Sequence, residues 1–224
     1  LVDPLISHHW NGYEVRFPKY QRSLSTGYNS IPSENLDRVL RERLPAESLR
    51  SGTTLDIGDG TRSASAIIDA RGGGNLSALA FGWQKFVGQT LTLAQPHGLQ
   101  RPVIMDATVD QIDGYRFVYC LPFGDREIFV EDTYYAAGEE LDAAACQQRI
   151  ADYVHAQGWE IEKITRSETG ELPVLYGGDF DAFWAAHDGV EARAGSRAAL
   201  IHPVTSYSLP MAVQTAIMIA EMPE

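Results

Sequence analysis

Cysteine is scarce in this sequence, with only Cys120 and Cys146 among 224 residues. One lies in a strand-like run and the other in a helix-like run, so they provide neither a disulfide framework nor the close ligand spacing of a metal site. The sequence therefore predicts a protein of a reducing compartment, with no structural disulfide and no resident metal.

Long apolar runs and basic clusters are also missing. The longest apolar-leaning segment, 210–222, is interrupted by Gln214 and is shorter than the roughly 20 residues that a membrane-spanning helix needs. No block of Lys or Arg offsets the net charge of −12, which argues against nucleic acid binding and against electrostatic attraction to an anionic bilayer. Because no secretory signal is visible, we expect a cytoplasmic protein whose peripheral contact with the inner membrane face would depend on apolar surface.

The residues that are present have the composition of an ordinary globular chain, 44% hydrophobic and 21% charged. This length suffices for one large core or two closely joined lobes. Apolar alternation predicts a strand at 13–17, and helical spacing predicts a helix at 34–44 with Ser33 as its cap. Small and branched residues at 64–72 predict a buried strand that ends at Gly72 in a glycine-rich loop.

The middle of the chain predicts an antiparallel meander, because long strand-like runs alternate there with short polar turns. The predicted strands are 84–93, 102–109, 115–122 and 127–135. Aromatic side chains are concentrated in this region, and they either fill its core or line a pocket for an elongated apolar ligand. They are Trp83, Phe86, Phe117, Tyr119, Phe123 and Phe129.

The last third of the chain predicts a helix at 141–157 that stops at Gly158, and a hairpin of 159–167 and 172–176 around Gly170. A final helix begins near 209, with Ser208 as its cap. Its predicted buried stripe comprises Val213, Ala216, Ile217 and Ala220.

These elements predict an α/β (α+β) fold in three parts. Residues 1–80 and 177–224 supply helices and strands that would assemble into one lobe, and residues 81–176 form an inserted antiparallel-sheet lobe with one helix.

Two adjacent carboxylates, Glu131 and Asp132, lie within the strand-like run 129–135. Because side chains alternate along a strand, the two acids point to opposite faces and only one of them can enter a given cavity. In one interpretation a buried carboxyl acts as a general acid, and in the other the pair is a solvated charge on an edge strand.

A series of short motifs runs nearly from end to end of the chain. They are GYEVRFP (12–18), GYNS (27–30), IDARG (68–72), FVGQ (86–89), PHGL (96–99), MDATVDQ (105–111), GYRFVY (114–119), EDT (131–133), and HP (202–203) followed by YSLP (207–210). In this order they resemble the FAD-dependent bacterial lycopene β-cyclases of carotenoid biosynthesis.

The resemblance implies a flavoprotein with a Rossmann-like FAD lobe of the aromatic-hydroxylase type and an inserted sheet lobe for the substrate. It implies an intramolecular lyase, or isomerase, that closes the linear ψ ends of lycopene or a related carotenoid to the β-ionone rings of β-carotene. FAD would be needed in its reduced form, NADPH or NADH would reduce it, and no net redox change would occur. Set against this family, the chain is expected to be a fragment that lacks the N-terminal dinucleotide fingerprint and the C-terminal region.

The resemblance also implies roles for single residues. Glu131 would donate a proton and Asp132 would position or tune the site, although the reverse assignment stays open. FAD binding would involve Asp69, Arg71, Gly72, Gly195, His202, Pro203, Thr205 and the helix start at Ser208. The motif residues Asp106 and Asp110 would either line the substrate cavity or complete the hydrogen bonds of the sheet edge. The family usually has glycine where Ala70, Ala199 and Ser206 stand.

Two other functions fit the same motifs. The first is a redox enzyme on this fold, either a flavin-dependent monooxygenase or a reductase. The second is a carotenoid-binding module without catalysis, which the substitution at Ser206 would favour.

Overall fold

The computed structural model describes residues 2–53, 66–112, 114–186 and 191–222. The chain divides into two compact units. One contains Leu1–Gly52, Lys85–Ala136 and Glu140–Glu171, and the other contains Thr53–Gln84, Ala137–Glu139 and Leu172–Glu224. Residues 1–52 thus belong to a different unit from residues 53–80, with which the sequence grouped them. The assignment of flavin and substrate to the parts of the chain stays a prediction.

The strands range from 2 to 18 residues in length. In chain order they are β1 (His8–Trp10), β2 (Tyr13–Phe17), β3 (Tyr20–Leu24), β4 (Tyr28–Ser30), β5 (Ile68–Asp69), β6 (Leu79–Leu93), β7 (Val103–Asp106), β8 (Arg116–Pro122), β9 (Glu127–Ala136), β10 (Ile161–Gly178) and β11 (Ala192–Arg193). The strand predicted at 64–72 is reduced to β5, and its positions 64 and 65 lie outside the described residues.

The largest sheet in the described part of the chain has the strand order β10-β6-β9-β8-β7-β2-β3. Its strands β7, β8 and β9 pair antiparallel in sequence, as the predicted meander requires. Strand β6 lies beside β9 instead of β7, and β2 pairs parallel to β7, so the meander covers only part of the sheet. The mixed α/β fold class is confirmed.

The helices are α1 (Ser33–Arg43), α2 (Ala143–Ala156), α3 (Phe180–Ala185) and α4 (Leu209–Glu221), with short 3-10 segments at Asp3–Leu5, Ala46–Ser48 and Gly195–Ala198. The side chain of Asp142 accepts a hydrogen bond from the backbone N–H of Ala145 (3.0 Å) and caps the start of α2. Gly158, with φ of +75°, follows its end, which confirms the predicted stop.

Helix α2 covers one face of the sheet and forms the main hydrophobic core of the first unit. Residues of β8 and β9 such as Val118 and Val130 pack there against Ile150 and Val154 of the helix, and all four are at most 1% exposed. Even-numbered positions of β9 therefore face α2, and odd-numbered positions face the other side of the sheet.

Two predicted helix caps are wrong in detail. The cap position of α1 is Pro32, and Ser33 is already helical, with its hydroxyl hydrogen-bonded to Glu34. Ser208 does occupy the cap position of α4, but its side chain makes no capping hydrogen bond.

The predicted hairpin around Gly170 is also wrong, because 161–178 form the single strand β10. A Cβ at Gly170 would lie 2.5 Å from Cε1 of Phe86. This glycine therefore serves the close approach of an aromatic ring, and the Thr-Gly pair does not mark a turn.

The second unit has a smaller core of Leu79, Leu175 and Phe183. Its strands β5 and β11 pair in parallel, with Asp69 opposite Arg193. The predicted buried stripe of α4 is wrong, since no residue of this helix is buried and Ile217 is 44% exposed. Apolar spacing identifies a face that can be covered, but not the surface that covers it. Among the described residues, no helix has the length and apolar character to cross a bilayer.

Candidate functional site

The register between β8 and β9 places Glu131 and Asp132 in two different environments. Glu131 lies opposite Tyr119, and Asp132 lies opposite Val118. Asp132 thus shares the face that packs beneath α2, whereas Glu131 points to the other face.

Asp132 is fully buried and bound by two arginines. Its Oδ1 accepts a hydrogen bond from Nε of Arg116 at 2.6 Å, and its Oδ2 accepts one from Nε of Arg149 at 2.7 Å. Arg116 is itself only 5% exposed and also donates to the backbone oxygen of Asp110 at 2.9 Å. A carboxylate with both oxygens in ion pairs holds α2 to the sheet, and neither oxygen is free to contact a ligand.

Further cations lie close to this ion pair. The Arg149 guanidinium and the Lys85 ammonium lie 5.3 and 5.4 Å from the ring centre of Tyr134. Lys85 also donates to the backbone oxygen of Glu140 at 2.5 Å. This arrangement adds cation–π contacts to the ion pair and fixes the β9 backbone from the α2 side.

Glu131 has the opposite electrostatic character. Burial raises the pKa of its carboxyl to about 7, and the charges of Glu168 and Asp132 act in the same direction. The Thr133 hydroxyl donates a hydrogen bond to Oε1 of Glu131 (2.7 Å) and partly offsets this rise. Near neutral pH a large fraction of Glu131 is therefore protonated.

Aromatic rings occupy the same face of the sheet as Glu131. Phe117 and Phe129 are 1% and 7% exposed. The Phe117 ring lies 5.1 Å from that of Tyr119 and 5.5 Å from that of Tyr115, measured between centres. The aromatic residues thus form a continuous apolar surface on the side of the sheet to which Glu131 points, and Tyr119 is the cross-strand neighbour of Glu131.

A cavity of about 630 Å³ adjoins this face within the first unit. Its lining includes Phe129, which is two residues from Glu131 along β9, and Glu168 of β10. The full lining is Ser7, Ser30, Ile31, Pro32, Ser33, Glu34, Thr90, Leu121, Phe123, Glu127, Phe129, Thr165, Arg166 and Glu168.

A glycine on β6 makes room for two of these side chains. A Cβ at Gly88 would lie 2.3 Å from Cζ of Phe129 and 3.3 Å from Cγ of Glu168. The ring and the carboxylate chain therefore both lie over the bare backbone of Gly88.

Asp106, the other candidate acid of the sheet, is held in a structural network. Its carboxylate accepts hydrogen bonds from the hydroxyl of Tyr153 (2.8 Å) and from the hydroxyl and backbone N–H of Thr108 (2.6 and 3.1 Å). It lies opposite Val118 and thus on the α2 face. These contacts favour the structural interpretation of Asp106 over a place on the face of the sheet to which Glu131 points.

In the second unit, the predicted flavin residues Asp69 and Arg71 belong to one charged cluster. Nε and Nη2 of Arg71 donate to Asp69 at 2.8 Å each, and Nε of Arg197 donates to it at 2.9 Å. The Arg71 guanidinium holds the pKa of Asp69 well below its usual range, and Arg197 lowers it further. Asp69 thus fastens the end of β5 to the segment that follows β11.

This cluster borders a small cavity of about 150 Å³. Nε and Nη2 of Arg193 are buried there without a hydrogen-bond partner among the described residues, while the guanidinium stacks 4.4 Å from the Trp184 ring centre. Gly73 and Gly74, in the same lining, have φ of +71° and +115°. The cavity therefore offers N–H donors of Arg193 that are unpaired among the described residues. Beside them, the backbone of Gly73 and Gly74 has a positive φ that only glycine adopts readily.

The remaining predicted flavin residues lie in two places. Gly72 and Gly195 adjoin the charged cluster, since a Cβ at Gly72 would lie 3.7 Å from Oγ of Ser196. His202, Pro203 and Thr205 form a turn before α4, in which Nδ1 of His202 accepts the backbone N–H of Thr205 at 3.2 Å. Ser208 begins the helix. The contacts of His202 are those of a turn-stabilising side chain.

Backbone geometry is unusual at two of the three positions where the family resemblance led us to expect glycine. Ala199 and Ser206 have φ of 55° and 56°, in the left-handed region, and no other described non-glycine residue does. This conformation costs about 1–2 kcal/mol for a residue with a Cβ. The backbone at Ala199 and Ser206 therefore has the left-handed conformation that favours glycine, although neither residue is glycine.

Sequence reasoning missed Arg116, Arg149, Arg193, Arg197 and Glu168. Arg149 is 17 residues from its partner Asp132, so no local pattern links the two. The only available signal for Arg116 and Arg197 was their place in or beside motifs, in GYRFVY and in the run Ala194–Arg197.

Comparison with known proteins provides an independent line of evidence. The family model described as "Lycopene cyclase protein" matches residues 2–222. Three curated proteins, each called lycopene beta-cyclase, are similar to the chain. The protein from Pseudescherichia vulneris is 44% identical, over 98% of this chain and 59% of the relative. The protein from Pantoea ananas is 43% identical, over 96% of this chain and 58% of the relative, and the protein from a Paracoccus species is 42% identical, over 98% and 58%. The chain thus spans slightly less than 60% of the length of these relatives.

Solved structures with low sequence identity share the fold. A geranylgeranyl bacteriochlorophyll reductase-like protein from Thermoplasma acidophilum matches with a TM-score of 0.61 at 13% identity, covering 96% of this chain and 62% of that one. The flavin-dependent halogenase CmlS matches with a TM-score of 0.56 at 14% identity, covering 95% and 45%.

Proposed function

The chain belongs to the lycopene cyclase protein family, and from this premise we propose that the full-length protein is a lycopene β-cyclase. It closes the linear ψ ends of lycopene to β-ionone rings without net oxidation or reduction. The observation that carries this proposal is Glu131, whose pKa is raised to about 7 beside an aromatic surface.

The reaction needs a strong proton donor, because an alkene is a very weak base. Glu131 holds a proton near neutral pH, since burial disfavours its charged form. It gives that proton to the terminal double bond of lycopene, a neighbouring double bond attacks the resulting cation, and the closed ring loses a proton. Thr133, bonded to Oε1 of Glu131, orients the carboxyl, and rings such as Tyr119 and Phe129 stabilise positive charge.

Asp132 has a positioning role in this proposal. Its ion pairs with Arg116 and Arg149 hold β9 from the α2 face. The rigid attachment keeps Glu131 on the opposite face, towards the substrate.

The cofactor of this reaction is FAD, and the charged cluster of the second unit suits an anionic or polar group of that kind. The buried, unpartnered Nε and Nη2 of Arg193 would donate to it, and Gly73 and Gly74 would let backbone come close. Asp69 holds the side chains of Arg71 and Arg197 in place within the same cluster. A reduced flavin, replenished by NADPH or NADH, would supply an electron-rich ring that can stabilise positive charge without net electron transfer.

The substrate also defines where the protein acts. Lycopene is a hydrocarbon that dissolves in membranes, so the enzyme meets it at a bilayer surface. The proposed encounter is at the cytoplasmic face. It uses apolar surface, because a net charge of −12 disfavours electrostatic attraction to an anionic bilayer.

The proposal is tested in the full-length protein with reduced FAD and lycopene in lipid vesicles. Glu131→Gln keeps the shape of the side chain but removes the acidic proton, so we expect cyclised product to fall by about 10²- to 10⁴-fold. Glu139→Gln, which removes an exposed carboxylate from the loop after β9, is the control and should cyclise at the normal rate. Product is measured by chromatography and absorbance. Normal cyclisation by the Glu131 variant would remove this residue from the donor role.

A further inference from the structure

Ring closure leaves a cation that must lose a proton before the β-type product forms. In the proposed function Glu131 donates the first proton, and it then lies as a carboxylate in an apolar setting. A second carboxylate on the same face of the sheet would provide a separate acceptor.

Glu168 of β10 meets this requirement by its position. Its Cγ and the Phe129 ring both lie over the backbone of Gly88. Phe129 and Glu131 occupy alternate positions of β9 and share a face. The two carboxylates therefore lie on the same side of the sheet, and their interaction is strong enough for the Glu168 charge to raise the pKa of Glu131.

The contacts of Glu168 leave part of its carboxyl group open to the cavity. Its Oε2 is bound by Nη1 of Arg166, whose Nη2 also binds Glu34 of α1 at 3.1 Å. Among the described residues, no other side-chain hydrogen bond to the Glu168 carboxylate is formed, so its second oxygen is not engaged by these protein groups. The side chain is 35% exposed and lines the cavity of about 630 Å³, where a substrate end can reach it.

From this juxtaposition, and resting on the proposed function, we propose that Glu168 is the base that accepts the final proton of the cyclisation. The Glu131 O–H bond breaks as a C–H bond forms at the terminal alkene, and a C–C bond then closes the ring. A ring C–H bond next breaks, its electron pair becomes the new double bond, and the proton passes to Glu168.

One proton is thus transferred from Glu131 to Glu168 in each ring closure, and no electrons are exchanged with the flavin. The starting protonation state returns when Glu168 releases its proton to solvent, to which it is partly exposed, and Glu131 takes one up. Burial favours the neutral form of Glu131, the proton donor. Glu168 is instead partly exposed, is paired with Arg166 and lines the cavity, where it can accept a proton.

The test compares Glu168→Gln with Glu131→Gln in the full-length enzyme, with reduced FAD and lycopene, in D₂O. We expect Glu168→Gln to lower β-ring formation by about 10²-fold or more, while recovered lycopene gains deuterium at the protonated carbon, because the cation can only return its proton to Glu131. Glu131→Gln should lose both product and deuterium. Glu168→Asp should restore part of the product, since it retains the base.

A matched control is Glu171→Gln, which changes an exposed carboxylate of the same strand and should behave as the wild type. Normal β-ring formation by Glu168→Gln would overturn the proposal, as would a loss of product accompanied by an equal loss of deuterium. Either result leaves the proposed function intact if the wild type cyclises and Glu131→Gln does not. A wild type without cyclised product would instead refute the proposed function.

Discussion

At the scale of single residues, the pH response of Glu131 is open to direct measurement. Its pKa of about 7 lies above the ordinary value of 4.5, so the protonated donor is lost as pH rises through 7. We expect cyclisation per enzyme to fall about tenfold per pH unit above that value. Thr133→Val should shift this fall in activity to higher pH, because the Thr133 hydrogen bond lowers the pKa of Glu131. A fall at the same pH in that variant would contradict the assignment to Glu131.

The same pKa shift also affects stability. Below pH 4.5 Glu131 is protonated in both the folded and the unfolded chain, whereas above pH 7 folding requires burial of its charge. The shift therefore costs stability at high pH and not at low pH. Stability curves of Glu131→Gln and wild type should coincide near pH 4, and the variant should be the more stable protein at pH 8.

Asp132→Asn should act mainly on stability. The substitution leaves the buried Arg116 and the partly exposed Arg149 without a counter-charge, which costs about 3 kcal/mol of the free energy of unfolding. Urea denaturation of the full-length protein measures this change. The control is Asp152→Asn on α2, where the carboxylate accepts only an exposed hydrogen bond from Gln148, and a change within about 0.5 kcal/mol is expected. Equal effects of the two substitutions would refute the structural role of Asp132.

Ala199→Gly should stabilise the protein by about 1 kcal/mol, because glycine adopts the observed φ of 55° without strain. Ala70→Gly is the matched control, since Ala70 also replaces a usual family glycine but is not in the left-handed region. It should give no gain. Thermal unfolding of both variants measures the difference, and a loss of stability in Ala199→Gly would contradict this account.

Sequence patterns could identify the carboxylates of β9 but not their roles. Strand alternation correctly separates Glu131 from Asp132, because it is a property of the local backbone. Which acid forms ion pairs depends on Arg116 and Arg149, and these come from the neighbouring strand β8 and from helix α2. Such partners are set by tertiary packing, which a single sequence does not encode locally.

At the scale of elements, the close approach of rings to glycines determines how β10 and β6 pack. In Gly170→Ala the new methyl group would overlap the Phe86 ring, so we expect a loss of about 1–3 kcal/mol in unfolding free energy. Gly177→Ala, in the same strand but with no atom within 4 Å of the added Cβ, is the control. Calorimetric unfolding of the two variants distinguishes them, and equal stability would refute the packing role of Gly170.

Helix and strand boundaries followed the sequence where the local signal was strong. Gly158 ends α2 because its left-handed φ suits a helix stop. At Gly170 the same residue type was misleading, since a glycine that admits a ring and a glycine that makes a turn have the same sequence signal. The apolar stripe of α4 was misleading for a different reason, because periodicity reports the composition of a face and not its partner.

At the scale of the whole molecule, the order of motifs indicated the fold class, but the order of strands was not predictable. Strand β6 lies beside β9, and β2 lies beside β7, so neighbours in the sheet are distant in sequence. Each such pairing depends on long-range contacts that no window of the sequence contains.

The proposed redox neutrality is also a property of the whole enzyme. After one reduction of its flavin, the full-length protein should cyclise many lycopene ends while NADPH or NADH consumption stays far below product formation. Enzymatic assays that follow the nicotinamide absorbance and the carotenoid product together measure this ratio. Equal amounts of nicotinamide consumed and product formed would favour a monooxygenase or reductase instead.

The bare backbone of Gly88 has an evolutionary consequence. Because the Phe129 ring and the Glu168 side chain share the space that a Cβ would fill, a mutation at Gly88 is tolerated only with a compensating change at one of the other two positions. Across the family, these three positions should therefore covary: lineages that acquire a side chain at position 88 should carry a smaller residue at 129 or 168, and those that keep both large side chains should keep the glycine.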